Sequence, residues 1–182
     1  MKLIRGVLIG VLMVFAGCAR NDVNTTANVI TRPTPPASNS TTGKWPPAEI
    51  DLTIKGVRSG TPEAKIIELL GKPKSDVKGM YDECADGFHR DLIYDGLRID
   101  ILSDGKRKHF AVTRMELTGT KWEIEPGVRI GDPITKVREL YGEPASDEDG
   151  ALLYVTKGNN GFVTFEYKDG KVFKVTMNET LC

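Results

Sequence analysis

Gly127–Pro144 reads G-V-R-I-G-D-P-I-T-K-V-R-E-L-Y-G-E-P, and Gly56–Pro73 reads G-V-R-S-G-T-P-E-A-K-I-I-E-L-L-G-K-P. Ten of the eighteen aligned positions are identical, and the glycines and prolines coincide. Self-similarity of this kind marks one supersecondary unit used twice. In each copy Thr61 or Asp132 stands where an N-cap oxygen takes an orphan backbone N–H. Pro62 or Pro133 follows at the first helical position, where a missing N–H is harmless. Ile66, Ile67, Leu69 and Leu70 in one copy, and Ile134, Val137 and Leu140 in the other, form an apolar helical face. Gly71 and Gly142 supply a left-handed stop, with Pro73 and Pro144 just beyond. Isolated helices under about 12–15 residues are marginal in water, so each of these short helices must pack on something.

Downstream of both copies the period changes to two. In the first half, Asp51–Ile54 is a short alternating run, and 74–87 reads as an irregular polar stretch. Leu92–Tyr94 and Leu97–Ile101 flank Asp95-Gly96, a strong hairpin signal. Leu97, Ile99 and Ile101 share one face and Arg98 and Asp100 the other; a third strand lies near 110–117. In the second half, Trp122–Ile124 opens the unit and the helix spans about Pro133–Tyr141. Strands follow at Ala151–Thr156, Gly161–Lys168 and Lys171–Met177. Val163, Phe165, Tyr167, Phe173, Val175 and Met177 point one way; Thr164, Glu166, Lys174 and Thr176 point the other. An antiparallel sheet covered on one side by helices has this division. The expected class is α+β: two tandem repeats, 48–119 and 120–182, each a short capped helix plus a three-stranded antiparallel meander. The helices lie on one face, and the two repeats make one globular unit.

Ahead of this unit, Lys2 and Arg5 precede an apolar run that closes on small residues, the pattern of a secretory signal over 1–17. Phe15-Ala16-Gly17-Cys18 resembles the lipobox of bacterial lipoproteins. That resemblance implies cleavage before Cys18 and acylation of its thiol. Ala19 in place of Asp resembles the outer-membrane-directed pattern of Gram-negative envelopes. Residues 18–47 are rich in Asn, Thr, Ser and Pro and cannot bury enough surface to order themselves. They read as a tether with an average reach of roughly 30 Å, and Trp45 reads as a cover for the domain edge.

Without Lys2 and Arg5 the chain's 25 basic residues become 23 against 25 acidic ones. No basic stripe remains for nucleic acid. With Cys18 acylated, Cys84 and Cys182 are left as a pair, and an oxidising compartment favours a bridge between them. Closing a loop of roughly 100 residues would contribute about 4–5 kcal/mol in the chain-entropy account. Two free thiols are the alternative.

The helix punctuation, G-x-x-x-G-x-x-x-x-x-V-x-x-x-x-G-x-P, followed by strands with a D-G turn, resembles two related groups. One is the SmpA/OmlA/BamE family of small envelope lipoproteins; the other is the tandem-repeat β-lactamase inhibitor protein family. The resemblance implies a non-catalytic module that binds another protein through its exposed sheet face and loops. No partner-binding motif of either group transfers residue by residue. Candidate contacts therefore come from the polar side of the strands: Arg98, Asp100, Glu166 and Lys174.

Chemistry is scarce. His89, near Asp91 and Cys84, could form a thiol–imidazole pair, but a surface histidine beside a disulfide accounts for it better. Zinc, thioredoxin-like and hydrolase-elbow motifs are absent from the sequence. Asp147-Glu148-Asp149-Gly150 lacks the remainder of a calcium loop, and a helix start carrying Thr61 or Asp132 does not suit a phosphate. No catalytic residue, metal or cofactor is expected. Arg58 and Arg129, kept in both copies, are expected to pack over the sheet edge and pair with a carboxylate such as Glu68 or Glu139. The function implied is that of a lipid-anchored envelope protein that contacts a neighbour in envelope or outer-membrane assembly or maintenance. The alternative is a periplasmic inhibitor or immunity protein that blocks a hydrolase or toxin.

Overall fold

The computed structural model describes residues 48–179, apart from 104, 107 and 159. The readings of 1–47 (signal, Cys18, tether, Trp45) and of Cys182 lie outside the described residues. In chain order the elements are β1 (Glu49–Ile50), α1 (Glu63–Leu70), β2 (Ser75–Asp82), β3 (Gly87–Tyr94), β4 (Leu97–Ser103), β5 (Phe110–Leu117) and β6 (Glu123–Ile124). They continue with β7 (Val128–Arg129), α2 (Ile134–Tyr141), β8 (Ser146–Glu148), β9 (Ala151–Thr156), β10 (Gly161–Lys168) and β11 (Lys171–Glu179).

Alternating apolar residues give these strands one buried face. Cross-strand pairing runs Tyr94, Leu97, Leu117, Val175, Phe165, Leu152 in one continuous row. All six are buried, and they belong to a single core with Ile66 of α1 and Val137 of α2. The strand order is β1-β9-β10-β11-β5-β4-β3-β2, with β8 also on β9. The halves meet where β5 pairs antiparallel with β11, Met115 opposite Met177 and Leu117 opposite Val175. Among the described strands β1 is the one parallel partner, beside β9.

Both helices sit over the apolar face, held at each end by backbone. The Tyr94 hydroxyl donates to Gly71 O at 3.0 Å, and the Tyr154 hydroxyl donates to Gly142 O at 2.9 Å. Burial pushes the Tyr154 hydroxyl up to about 12, so it remains a donor. At the other end, Gly60 N donates to Val112 O and Gly131 N to Val172 O, each at 2.8 Å. Arg90 stacks over Phe110 at 4.7 Å and donates to Glu63 of α1 and to Asp76 of β2, so the outermost strand is tied to a helix. Among the described residues no helix is long and apolar enough to cross a membrane.

The expected α+β class of two tandem helix-plus-three-strand repeats is wrong. Among the described residues the protein is mostly β: two eight-residue helices lie against one mixed nine-stranded sheet. The miss begins at 74–87, where the polar stretch forms β2, paired with β3 through Val77↔Asp91 and Lys78↔Arg90. Its side chains are nearly all exposed. No alternation betrays a strand that is ordered by backbone bonds to a distant neighbour.

Smaller corrections have local causes. The helices are capped at Pro62 and Pro133 with no side-chain cap bond. Thr61 Oγ1 and Asp132 Oδ2 instead accept from the backward N–H groups of Arg58 and Arg129, at 3.0 and 2.8 Å. Each closes the preceding turn rather than the helix. Phe173, expected in the core, is exposed while Val172 is buried, because the β10–β11 register shifts between Glu166 and Tyr167. A bulge inserts one unpaired residue and reverses the alternation. Arg58 meets Asp51 at 4.0 Å and Arg129 meets Glu123 at 2.5 Å, not Glu68 or Glu139.

Candidate functional site

Residues that alternate with the core project from the side of the sheet opposite the helices. One cross-strand row on that side runs Phe162, Asn178, Arg114, Asp100, Asp91, Val77. Its neighbour runs Thr164, Thr176, Glu116, Arg98, Ile93. All four contact candidates therefore share a face. Arg98 pairs with Asp91 at 2.6 Å, and Lys174 with Glu166 at 3.1 Å and Glu116 at 3.9 Å. Asp100 accepts from His89, and Arg114 meets Glu116 at 3.3 Å.

Sequence reasoning did not count Asp91, Arg114 and Glu116 among the contacts, and it did not place His89 on a strand. β3 begins at Gly87 rather than at Leu92, so His89 and Asp91 occupy the alternate positions of a strand. The apolar run Leu92–Tyr94 showed only the strand's last turn of pleat. Extending its period backward would have found both residues.

His89 stands between two carboxylates, Nδ1 2.9 Å from Asp100 and Nε2 3.0 Å from Asp82. Burial alone would lower its pKa, but the bonds to Asp82 and Asp100 outweigh it and hold the pKa above the ordinary value. Asp82 is held below the usual carboxylate value, chiefly by His89 and then by the backbone N–H of Ala85. Asp82 Oδ1 also accepts from Cys84 N and Ala85 N at 2.9 and 3.1 Å. The imidazolium thus clasps the β2–β3 turn onto β4. Cys84 is disulfide-bonded, and both nitrogens of His89 are engaged with carboxylates, so the thiol–imidazole pair is not formed. The residue expected to bridge to Cys84, Cys182, lies outside the described residues. Among the described residues no group of three or more His, Cys, Asp or Glu is arranged to hold a metal ion.

The clasp makes a pH prediction. With a raised folded pKa, the contribution of His89 is complete below its unfolded value of about 6.5 and fades as pH rises through the folded value. With a lowered folded pKa, the contribution of Asp82 is present above about 3.9 and fades as pH falls through its folded value. His89→Gln should therefore destabilise the protein more at about pH 5.5 than at about pH 9. Urea denaturation at the two pH values measures this, and an equal loss at both would remove the charged clasp.

The β2 margin of the sheet lies beside the clasp. β2 is the terminal strand, bulged between Lys78 and Tyr81. It exposes Val77, Met80 and Tyr81, Met80 at 85%. A cleft of about 390 Å³ lies behind it, lined by Tyr81, Phe88, Arg90 and Phe110 among others.

No family model and no curated relative matches the chain. Two solved structures are similar to it at low scores. An extracellular protein containing an SCP domain from Bacillus anthracis str. Ames shares 10% identity at a TM-score of 0.44, over 68% of this chain and 44% of its own. The chain thus spans less than half the length of that protein. The uncharacterized protein YfeY from Escherichia coli shares 14% identity at a TM-score of 0.39, over 69% of this chain and 95% of its own.

Proposed function

We propose that the protein is a non-catalytic protein-binding module of the bacterial cell envelope. In this reading the N-terminal segment exports it, and lipid on Cys18 tethers it to the membrane. It then grips another envelope protein in envelope or outer-membrane assembly or maintenance. The observation that carries the reading is the sheet face that no element among the described residues covers. Six strands, from β10 to β2 in the sheet order, at about 4.8 Å spacing make a surface roughly 24 Å across, the scale of a protein partner rather than a small molecule. Its flanks are apolar, with Phe162 and Val77 each about half exposed, and its centre is charged. Apolar flanks supply area to bury, and a mixed-charge centre orients a partner and rejects wrong ones. The outer backbone edge of β2, which pairs with no other strand among the described residues, adds a margin that an extended segment can extend by strand addition. The anchor and tether would raise the local concentration of this surface near membrane partners.

Photo-crosslinking in intact cells tests the reading. A crosslinker at Met80 or Phe162 should give the same defined protein adduct, and one at Lys65, on α1, should give none. Cys18→Ala should release the protein from membranes and abolish the adduct. Adducts from Lys65 alone, or membrane retention after Cys18→Ala, would count against it. The identity of the adduct separates an assembly component from a soluble hydrolase under inhibition.

A further inference from the structure

Away from the open face, a second cleft of about 230 Å³ opens at the end of the sheet where β1 joins β9. Leu52 and Met177 give it an apolar floor, 3% and 1% exposed. Thr156 forms part of the wall and is 8% exposed. Its Oγ1 is buried and has no hydrogen-bond partner among the described residues. Buried hydroxyls are nearly always paired, so an orphan beside a cavity points to something that enters the cavity.

Charge at the mouth says what that is. Arg58 and Lys157 both approach the same carboxylate, Asp51, at only 4.0 and 3.6 Å, and each leaves 64% of its side chain exposed. Both distances exceed a good charge-assisted hydrogen bond. The other acid of the cleft, Glu179, already accepts from the hydroxyl of Ser59. The duplicated sequence sharpens the point. Arg129, the counterpart of Arg58, is clamped to Glu123 at 2.5 Å, whereas Arg58 keeps its guanidinium fork open.

We propose that this cleft binds a small organic carboxylate with a short apolar body and a second oxygen, such as a 2-hydroxy acid. The carboxylate lies between Arg58 and Lys157, where a planar fork suits its two oxygens. The neighbouring oxygen bonds the Thr156 hydroxyl, and the body rests on Leu52 and Met177. This site is separate from the protein-binding surface, and the two proposals stand or fall independently.

Calorimetric titration of the full chain, purified in detergent, tests it with 2-hydroxy-4-methylpentanoate and the corresponding amide as probes. The acid should bind saturably, and the amide at least about tenfold more weakly. Arg58→Gln and Thr156→Val should each weaken the acid by at least about tenfold. Thr156→Val should at the same time raise the urea midpoint, since a methyl replaces an unpaired buried hydroxyl. No saturable binding of the acid overturns the assignment, as does equal binding of the amide. Either variant binding as the unaltered chain does overturns it too. A lower midpoint for Thr156→Val would show the hydroxyl already engaged and would also end it.

Discussion

Phe165→Ala is expected to remove about 3–5 kcal/mol of stability, in one transition that both halves of the chain report together. Phe165 is fully buried, paired with Val175 on one side and Leu152 on the other. Its ring packs 5.8 Å from Tyr154 and 5.5 Å from Tyr141, centroid to centroid. Truncation leaves a cavity beside two rings whose hydroxyls are fixed, Tyr154 to Gly142 O and Tyr141 to Glu125 O. Collapse into the gap is therefore restricted, which puts the loss toward the upper part of that range. Trp122 reports from elsewhere in the core, packed on Tyr94 of the first half at 6.0 Å. In a Trp45→Phe background, its fluorescence and the far-ultraviolet circular dichroism should shift to the same lower urea midpoint. A fluorescence midpoint that stays in place while the dichroism moves would mean two cores, against the continuous β5–β11 seam.

The second large effect is expected at the Asp95-Gly96 turn. Gly96 has φ of 69°, and a Cβ there would lie 2.4 Å from Gly119 Cα and 2.7 Å from Gly119 N. The segment that crosses the turn is held there: Thr118 N and Gly119 N both donate to Gly96 O at 2.9 Å, and Trp122 Nε1 donates to Asp95 O at 2.7 Å. Gly96→Ala combines left-handed strain of about 1–2 kcal/mol with overpacking of about 1–3 kcal/mol against backbone. A loss of about 2–5 kcal/mol follows. Gly170 is the control, with φ of 74° and nothing within 4 Å of an added Cβ. Gly170→Ala should show the strain alone, about 1–2 kcal/mol. Equal losses in equilibrium denaturation would mean the crossing segment yields freely, and the contact with Gly119 would carry no weight.

The site was legible to the extent that its residues alternate visibly with apolar neighbours. Arg98 and Asp100 are set between Leu97, Ile99 and Ile101, Glu166 follows Phe165, and Lys174 precedes Val175, so their common side could be read from period two. Thr156 could not be singled out, because its hydroxyl is an orphan only where β1, β9 and β11 converge. The same holds for the different fates of Arg58 and Arg129. Identical local sequence places both after a Gly-Val, but their carboxylate partners come from Asp51 and Glu123, in unlike surroundings.

By itself, the sequence determined the elements whose order is local. These are the two short helices bounded by Pro and Gly, the D-G turns, and the strands whose apolar residues recur at every second position. Only the tertiary structure decided that the halves share one sheet, that a polar stretch becomes its outermost strand, and that a bulge turns Phe173 outward. These depend on backbone N–H and C=O groups finding partners far along the chain. Every residue carries the same two groups, so side-chain pattern alone does not say which strand will claim them.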